Sequence, residues 1–527
     1  MKKSSKAFRA LALAAGVMLV VSGCGKTGKL ETKSSEVEYP NGDGYPIKCS
    51  DTLKVWSSTL PGGDIAENPI GKAWLEKTGV NVEFIQPMSG STEALKVLLA
   101  SGDLPDVIIA NLYNEPGGIQ KFADDGVIVS LTDYMDKYAP NLTKYLKDHS
   151  DVDKMVKSDK GEYYMFPFIR GSEKLATSCG MVIRKDMLDK AGLDIPETID
   201  EWHTALTAIK NQGVQAPLSY DLLYWEKYFG VFMGAYGTKA EFYLKDGKVT
   251  YGYLEPEFKQ GLETLRQWYS EGLIDKNVVK IADIDSNVLN SVTAASCVWG
   301  GGGLGEYVNV MKDKGTDFDL QPTPFPVLNK GETTKFGSKE FLYNQNNNAF
   351  ITSSCKNIEL AMRFLDYGYS DEGHMLMNFG IEGESYEMKD GYPTYTDTIM
   401  NNPDGLNVSD AMSKYFLGSS SGPFVQDERY IEQYYALPQQ QKALELWGKS
   451  DAPKNNIPIV SFTSEESSRI STIMNDVETT ADEMIFKFIM GIEPMEKYDE
   501  FINKIKGFGI DEAIELYQNA VDRFNKR

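Results

Sequence analysis

The stretch LKVWSSTLPGGDIAENPIGKAWLEKTGVNVEFIQPMSGSTEALKVLLASGDLPDVII, residues 53–109, decides the fold class. Leu53-Lys54-Val55-Trp56 is β-rich, the turn formers Pro61-Gly62-Gly63-Asp64 come next, and a helical stretch runs through Ala73-Trp74-Leu75. Val80-Asn81-Val82-Glu83-Phe84-Ile85 alternates apolar and polar residues as a half-buried strand does, and Glu93 to Ala100 reads as a helix. Pro105-Asp106-Val107-Ile108-Ile109 has the continuous apolar character of a strand buried on both faces of a parallel sheet. Strand, helix, strand, helix, strand predicts an α/β fold. Its ligand crevice is expected beyond the carboxyl ends of the strands, where Ser57, Ser58, Thr59, Asn111 and Tyr113 fall.

Upstream, Lys2, Lys3, Lys6 and Arg9 precede an uninterrupted small apolar run, Ala10 to Val21, too short to span a bilayer and of the length of an export leader. The run ends in Val21-Ser22-Gly23-Cys24, which resembles the bacterial lipobox: an aliphatic residue, two small residues, and a thiol that takes a diacylglyceryl group. Cys24 is therefore the expected lipidated N-terminus, carrying acyl chains such as palmitate into the membrane, with residues 1–23 as signal peptide. Residues 25 to 50 are polar and are expected to be a tether.

Downstream, Tyr163-Tyr164-Met165-Phe166-Pro167 and Met181-Val182-Ile183 read as strands. Thr198-Ile199-Asp200-Glu201 is a capping box that starts a helix through Trp202 to Lys210. Phe258 to Tyr269 repeats Leu262, Leu265 and Trp268 at helical spacing and stops at Gly272. Ala349 to Thr352 reads as a strand, and Ile358, Ala361, Met362 and Leu365 mark an amphipathic helix. The last third is mostly helical, with a long helix from Ser464 to Met490 and shorter ones over Tyr498 to Lys506 and Asp511 to Asn525.

Composition removes several function classes. The 527 residues carry 76 acidic against 54 basic side chains, a net charge of −22, and the loss of the four basic leader residues makes it more negative still. Such a surface repels phosphate backbones, so nucleic acid is not an expected partner. Cys49, Cys179, Cys297 and Cys355 show no metal-ligand spacing and are expected as free thiols, and only His149, His203 and His374 are available, so no metal or cofactor is expected. Asp283-x-Asp285-x-Asn287 mimics the start of a calcium loop, but Val288 and Ala294 stand where glycine and glutamate are needed, so it is read as a solvated loop. No GxGxxG, Walker A, HExxH or GxSxG element occurs, and in so acidic a chain no carboxylate pair is singled out, so no catalytic residue is expected.

Several short motifs together resemble the extracellular solute-binding proteins of ATP-driven importers, the large family that includes maltose-binding protein. They are Ser101-Gly102-Asp103-Leu104-Pro105-Asp106-Val107, Gly126-Val127-Ile128-Val129-Ser130-Leu131, and Asp159-Lys160-Gly161-Glu162-Tyr163-Tyr164-Met165-Phe166-Pro167, the last departing from the family pattern in its Lys160-Gly161 order. Ile183-Arg184-Lys185-Asp186-Met187-Leu188, Glu271-Gly272-Leu273-Ile274-Asp275, Gly380-Ile381-Glu382-Gly383-Glu384, Phe462-Thr463-Ser464-Glu465-Glu466 and Lys487-Phe488-Ile489-Met490-Gly491 narrow the likeness to the long lipoprotein members of Gram-positive carbohydrate importers.

The resemblance implies a type II periplasmic-binding-protein-like fold with two discontinuous α/β lobes joined by a multi-strand hinge, the solute between them, and closure as a hinge motion. The expected division is 1–23 leader, 24–50 tether, 51–168 first lobe, 169–325 second lobe, 326–375 return to the first lobe, and 376–527 mostly helical, completing the second lobe. The implied protein is a lipid-anchored monomer on the outer face of the cell membrane that delivers a carbohydrate, an oligosaccharide above all, to an ABC permease. The competing readings are a receptor for a peptide or another small polar solute, an exported carbohydrate-cleaving enzyme, and a sensor or adhesin.

Sugars present apolar C–H faces ringed by hydroxyls, so a sugar cleft needs aromatic platforms edged by planar polar side chains. Trp225, Tyr224 and Trp299 are the candidate platforms, each with a core role as the alternative. Gly301, in the run Gly300-Gly301-Gly302-Gly303, is a candidate for close backbone approach to a ligand. Asn111, Tyr113 and Ser58 are candidate contacts from the first lobe. Arg170 at the presumed hinge either holds an acidic sugar or pairs with a structural carboxylate, and Tyr386 either touches ligand or closes a turn. Trp56 and Trp268 are expected in the core.

Overall fold

Three strands, Thr52–Ser57, Asn81–Ile85 and Val107–Ala110, pair in parallel with Thr52–Ser57 in the middle, and Val107–Ala110 is buried along its whole length as its apolar run requires. The computed structural model describes residues 34–42, 44–57, 65–87, 91–281, 283–418 and 422–527. Tyr343–Ile351 lies antiparallel to Val107–Ala110 and to Phe166–Arg170, and Val425–Gln426 closes the far edge of this six-stranded sheet. Helices cover both faces. Trp74, on the helix Pro69–Thr78, stacks on Phe364 with ring centroids 4.4 Å apart, which ties the early βαβ unit to the returning segment.

The second lobe is built on a four-stranded sheet in the order Leu320–Pro322, Cys179–Arg184, Thr293–Trp299, Ala216–Leu218. The helix Ile199–Asn211 starts at the capping box: the Glu201 amide donates to Thr198 Oγ1 and the Thr198 amide to the Glu201 carboxylate, each at 3.2 Å. Trp202 from this helix and Trp268 from Pro256–Ser270 both meet Phe232 edge-on, at 5.5 and 5.2 Å, in one aromatic core. Ser464–Ile489 is a single 26-residue helix packed against Pro256–Ser270 and Ile510–Asn525. A third, smaller core gathers Phe379, Tyr395, Met412, Phe416 and Tyr430 around the hairpin Tyr386–Lys389/Tyr392–Tyr395.

The chain passes between the lobes at 171–178, at 337–342 and again after Gln426, while 457–462 runs along the junction with Ile459 in the first core and Val460 in the second. These crossings make the multi-strand hinge. The solute cleft lies between the two sheets, bordered by the carboxyl end of Val107–Ala110 on one side and of Thr293–Trp299 on the other.

Three boundaries depart from the expected ones. The 24–50 segment is packed from residue 34 rather than being a free tether. Val37 and Ile47 are buried in the first core, the Tyr45 hydroxyl donates to the Arg363 carbonyl and the Tyr39 hydroxyl to the Glu359 carboxylate, both at 2.6 Å. Composition asks whether a segment can fold alone, whereas here a formed lobe supplies the surface. Gly79 makes the approach possible: at φ +71° it ends the helix Pro69–Thr78, and a Cβ there would lie 2.2 Å from the Ile47 carbonyl oxygen.

Residues 326–336 stay with the second lobe, with Val327 paired to Glu197 and Ile199 and Phe336 against Tyr243, and the chain returns over 337–342, where Phe341 and Leu342 already pack on the first core. Finally, 379–416 and 430–435 build the third core rather than a remainder of the second lobe, while Leu417, Phe424 and Val425 between them join the first core.

Candidate functional site

The cleft has a volume of about 660 Å3, the size of a small-ligand site, and its two walls differ in chemistry. On the second lobe Asp221 accepts from the Tyr224 amide at 3.2 Å and caps the short helix Leu222–Tyr228. Tyr224 and Tyr228, one helical turn apart, share its outer face with centroids 4.9 Å apart and are 38% and 53% exposed. Trp299 ends the strand Thr293–Trp299 and is 47% exposed on the cleft. Burial raises the Tyr224 phenol to about 12, so it is a neutral donor at any physiological pH.

The first-lobe wall is made of amides. The ladder between Tyr343–Ile351 and Phe166–Arg170 shifts register between Asn344 and Ala349, a bulge in which Asn347 takes φ +56°. Asparagine tolerates that left-handed conformation better than most residues. The bulge turns Asn344, Gln345 and Asn346 into the cleft, while Asn348 points inward, its oxygen accepting from the Phe168 amide at 2.9 Å. Asn111 joins them: its amide nitrogen donates to Asn346 Oδ1 at 2.9 Å and its oxygen accepts from the Tyr113 amide at 3.0 Å. Beneath, the Tyr343 hydroxyl donates to the Tyr113 hydroxyl at 3.0 Å, and burial holds Tyr113 near 12.

Charge on the walls is held by the protein's own partners. Arg170 donates to the Leu175 carbonyl and to Glu340, both at 2.5 Å, bracing the first crossing against the second. Lys339 donates to Glu173 at 2.8 Å. Lys239 is buried, donates to Asn456 Oδ1 at 2.8 Å, and is pushed down to about 8 by desolvation, with Glu241 opposing the shift. Behind the aromatic wall Glu226 is wholly buried. Desolvation raises it to about 7 although it accepts from the Phe232 and Met233 amides and the Tyr220 hydroxyl.

Of the residues singled out in the sequence, Asn111, Tyr113, Tyr224 and Trp299 line one cleft. Four others do not. Trp225 is 5% exposed and sits beneath the wall, its ring 5.1 Å from Phe229 and 6.2 Å from Trp299, because one residue along a helix turns the side chain about 100°. Gly301 faces another part of the protein: a Cβ there would lie 2.3 Å from the Tyr434 hydroxyl, so the glycine run admits the third core's tyrosines. Tyr386 is buried in that third core against Phe379. Arg170 takes its structural role, outside the cleft lining. Ser58 and Cys24 lie outside the described residues.

Sequence reading missed Tyr228, which stands four residues after Tyr224, and the amide run Asn344-Gln345-Asn346, whose composition was a legible signal. The calcium-like motif is a helix start: Asp283 accepts from the Ser286 amide at 2.9 Å and caps Ile284–Leu289. Among the described residues no cluster of three or more His, Cys, Asp or Glu is placed to hold a metal, and the four described cysteines are free thiols. None of the described helices is long and apolar enough to cross a membrane.

Two α/β lobes, repeated chain crossings and a cleft with one stacking wall and one hydrogen-bonding wall define a two-lobed solute receptor. The chain belongs to the bacterial extracellular solute-binding protein family, which matches residues 56–375. It is 24% identical to the fructooligosaccharide ABC transporter substrate-binding protein FusA of Streptococcus pneumoniae over 96% of each chain, and 25% identical to lipoprotein LipO of Bacillus subtilis over 89% of this chain and 90% of that one. Among solved structures it is similar to the alginate-binding protein AlgQ2, with a TM-score of 0.73 and 25% identity over 89% of this chain and 98% of the other.

Proposed function

We propose that this chain is the receptor of an ABC importer that captures an oligosaccharide outside the cell and delivers it to the permease. The observation that carries the reading is the opposition of Tyr224, Tyr228 and Trp299 to the amides of Asn111, Asn344, Gln345 and Asn346 across one cleft. Aromatic faces take the C–H surfaces of pyranose or furanose rings, and amides offer a donor and an acceptor to each hydroxyl. Kinship to FusA supports a sugar, and kinship to LipO supports a lipoprotein. The names of FusA and AlgQ2 span a neutral and an acidic glycan, so likeness leaves the ligand's charge open.

In this reading residues 1–23 direct export, Cys24 carries the lipid, and a single copy of the chain works at the membrane's outer face. Ligand touching both walls favours the closed form only by its differential affinity for that form. It performs no chemistry on the sugar. A thermal-shift screen of the leaderless protein against oligosaccharides, peptides and polyols tests the reading, since ligand at one hundred times its Kd stabilises by about 2.7 kcal/mol. A response to peptides alone refutes it. Cys24→Ser is expected to move the protein from the membrane fraction to the medium, and unchanged membrane retention refutes the anchor.

A further inference from the structure

We infer that the ligand of this cleft is an uncharged glycan, not a uronate or an amino sugar polymer, an assignment that rests on the carbohydrate reading above. Among the described residues the charged ones in the lining are Lys239, Glu241, Lys339 and Glu340, two of each sign. Each has a partner of the protein's own. Glu340 is held by Arg170 at 2.5 Å, Lys339 by Glu173 at 2.8 Å, and Glu241 lies 3.6 Å from Lys227, which also holds Glu478. Lys239, 6% exposed, donates to Asn456 and lies 5.6 Å from the Phe336 ring centroid.

Recognition of a carboxylate on every sugar ring calls for cations free to make forked, charge-assisted hydrogen bonds. Turning Lys339 to a ligand would take it from Glu173, and turning Arg170 would strand Glu340 in a half-dry cleft. The field of the whole chain, at −22, opposes a polyanion as well. An ammonium-bearing sugar needs an unpaired carboxylate, and both lining glutamates already face a cation. Among the described residues the groups that face the cleft without an ionic partner or a burial of their own are neutral: three exposed aromatic rings and a row of amides.

The test is calorimetric titration of the leaderless protein with length-matched fragments of inulin, xylan, mannan and mixed-linkage glucan, of polygalacturonan and alginate, and of chitosan. Runs at about 20 mM and about 500 mM salt expose any electrostatic term. The inference expects one neutral set to bind with an affinity that salt leaves unchanged within about twofold, and every charged set to bind about tenfold more weakly or worse. Glu173→Gln, a surface change outside the cleft lining, frees Lys339 and is expected to raise affinity for trigalacturonate severalfold at low salt while neutral binding holds. A uronate or chitosan fragment that matches or exceeds the best neutral one overturns the inference and leaves the sugar-receptor reading intact. Peptide binding with silence from all saccharides overturns that reading, and this inference with it.

Discussion

Trp299→Ala and Trp225→Ala separate a ligand platform from the core beneath it, though the two rings lie only 6.2 Å apart. Trp299 is 47% exposed on the cleft. An aromatic side chain offers roughly 150–250 Å2, so about 100 Å2 of indole is open to be covered by a sugar face. At ~25 cal/mol per Å2 that is about 2.5 kcal/mol. Part is offset by ordering of ligand and side chains, so the expected loss is about 1.5–2.5 kcal/mol, a weakening of Kd by about 10- to 70-fold. Stability of Trp299→Ala should fall by about 1–2.5 kcal/mol, because only half of the side chain is out of water to begin with. Trp225, 5% exposed against Phe229 and Trp299, should instead cost about 3–5 kcal/mol of stability when cut to alanine. Calorimetry with the tightest neutral oligosaccharide and urea denaturation of both variants decide the matter. If Trp299→Ala binds within threefold of the wild type, or Trp225→Ala unfolds at the wild-type midpoint, the division of roles is wrong.

Glu226 is held at about 7, above its ordinary 4.5, so the folded state keeps a proton that the unfolded chain releases. Its contribution is complete below about pH 4.5 and shrinks as pH rises to 7, by about 3 kcal/mol. Relative to wild type, Glu226→Gln should therefore gain about that much between pH 4.5 and 7.5, and an offset equal at both pH values refutes the assignment. Asp159 on the first lobe binds Arg523 at 2.7 Å and Arg527 at 2.6 Å on the C-terminal helix and just beyond it, and Arg527 is 6% exposed. Asp159→Asn leaves that buried guanidinium without its charge partner and should cost about 1–3 kcal/mol in denaturation. Gly301→Ala should destabilise by about 1–3 kcal/mol because its Cβ meets Tyr434 at 2.3 Å, whereas Gly302→Ala, with no atom within 4 Å of the new carbon, should be near neutral. Equal midpoints for the two alanines refute the packing account.

How much of the site was legible depended on which local rule governed each residue. Asn111 comes directly after a buried parallel strand, and strand topology alone delivers a residue at that position to the crevice. Tyr224 and Trp225 were indistinguishable as letters, since both are aromatic and adjacent. Only the cap at Asp221 sets the phase of the helix and sends Tyr224 outward with Tyr228 while Trp225 goes under. The glycine run before Leu304 shows that something approaches the backbone closely, and the identity of that neighbour comes from residues more than 130 positions later.

The α/β class, the helix starts and stops and the family are set by periodicity, caps and short motifs, because those signals are local and repeat every two to four residues. Which segments return to which lobe, the bulge that turns three amides into the cleft, and the pairing of the cleft's charges with partners inside the protein were decided only by the tertiary structure. Those features depend on contacts between residues far apart in the chain, such as Arg170 with Glu340 and Lys339 with Glu173, and such pairings set both side-chain direction and charge balance.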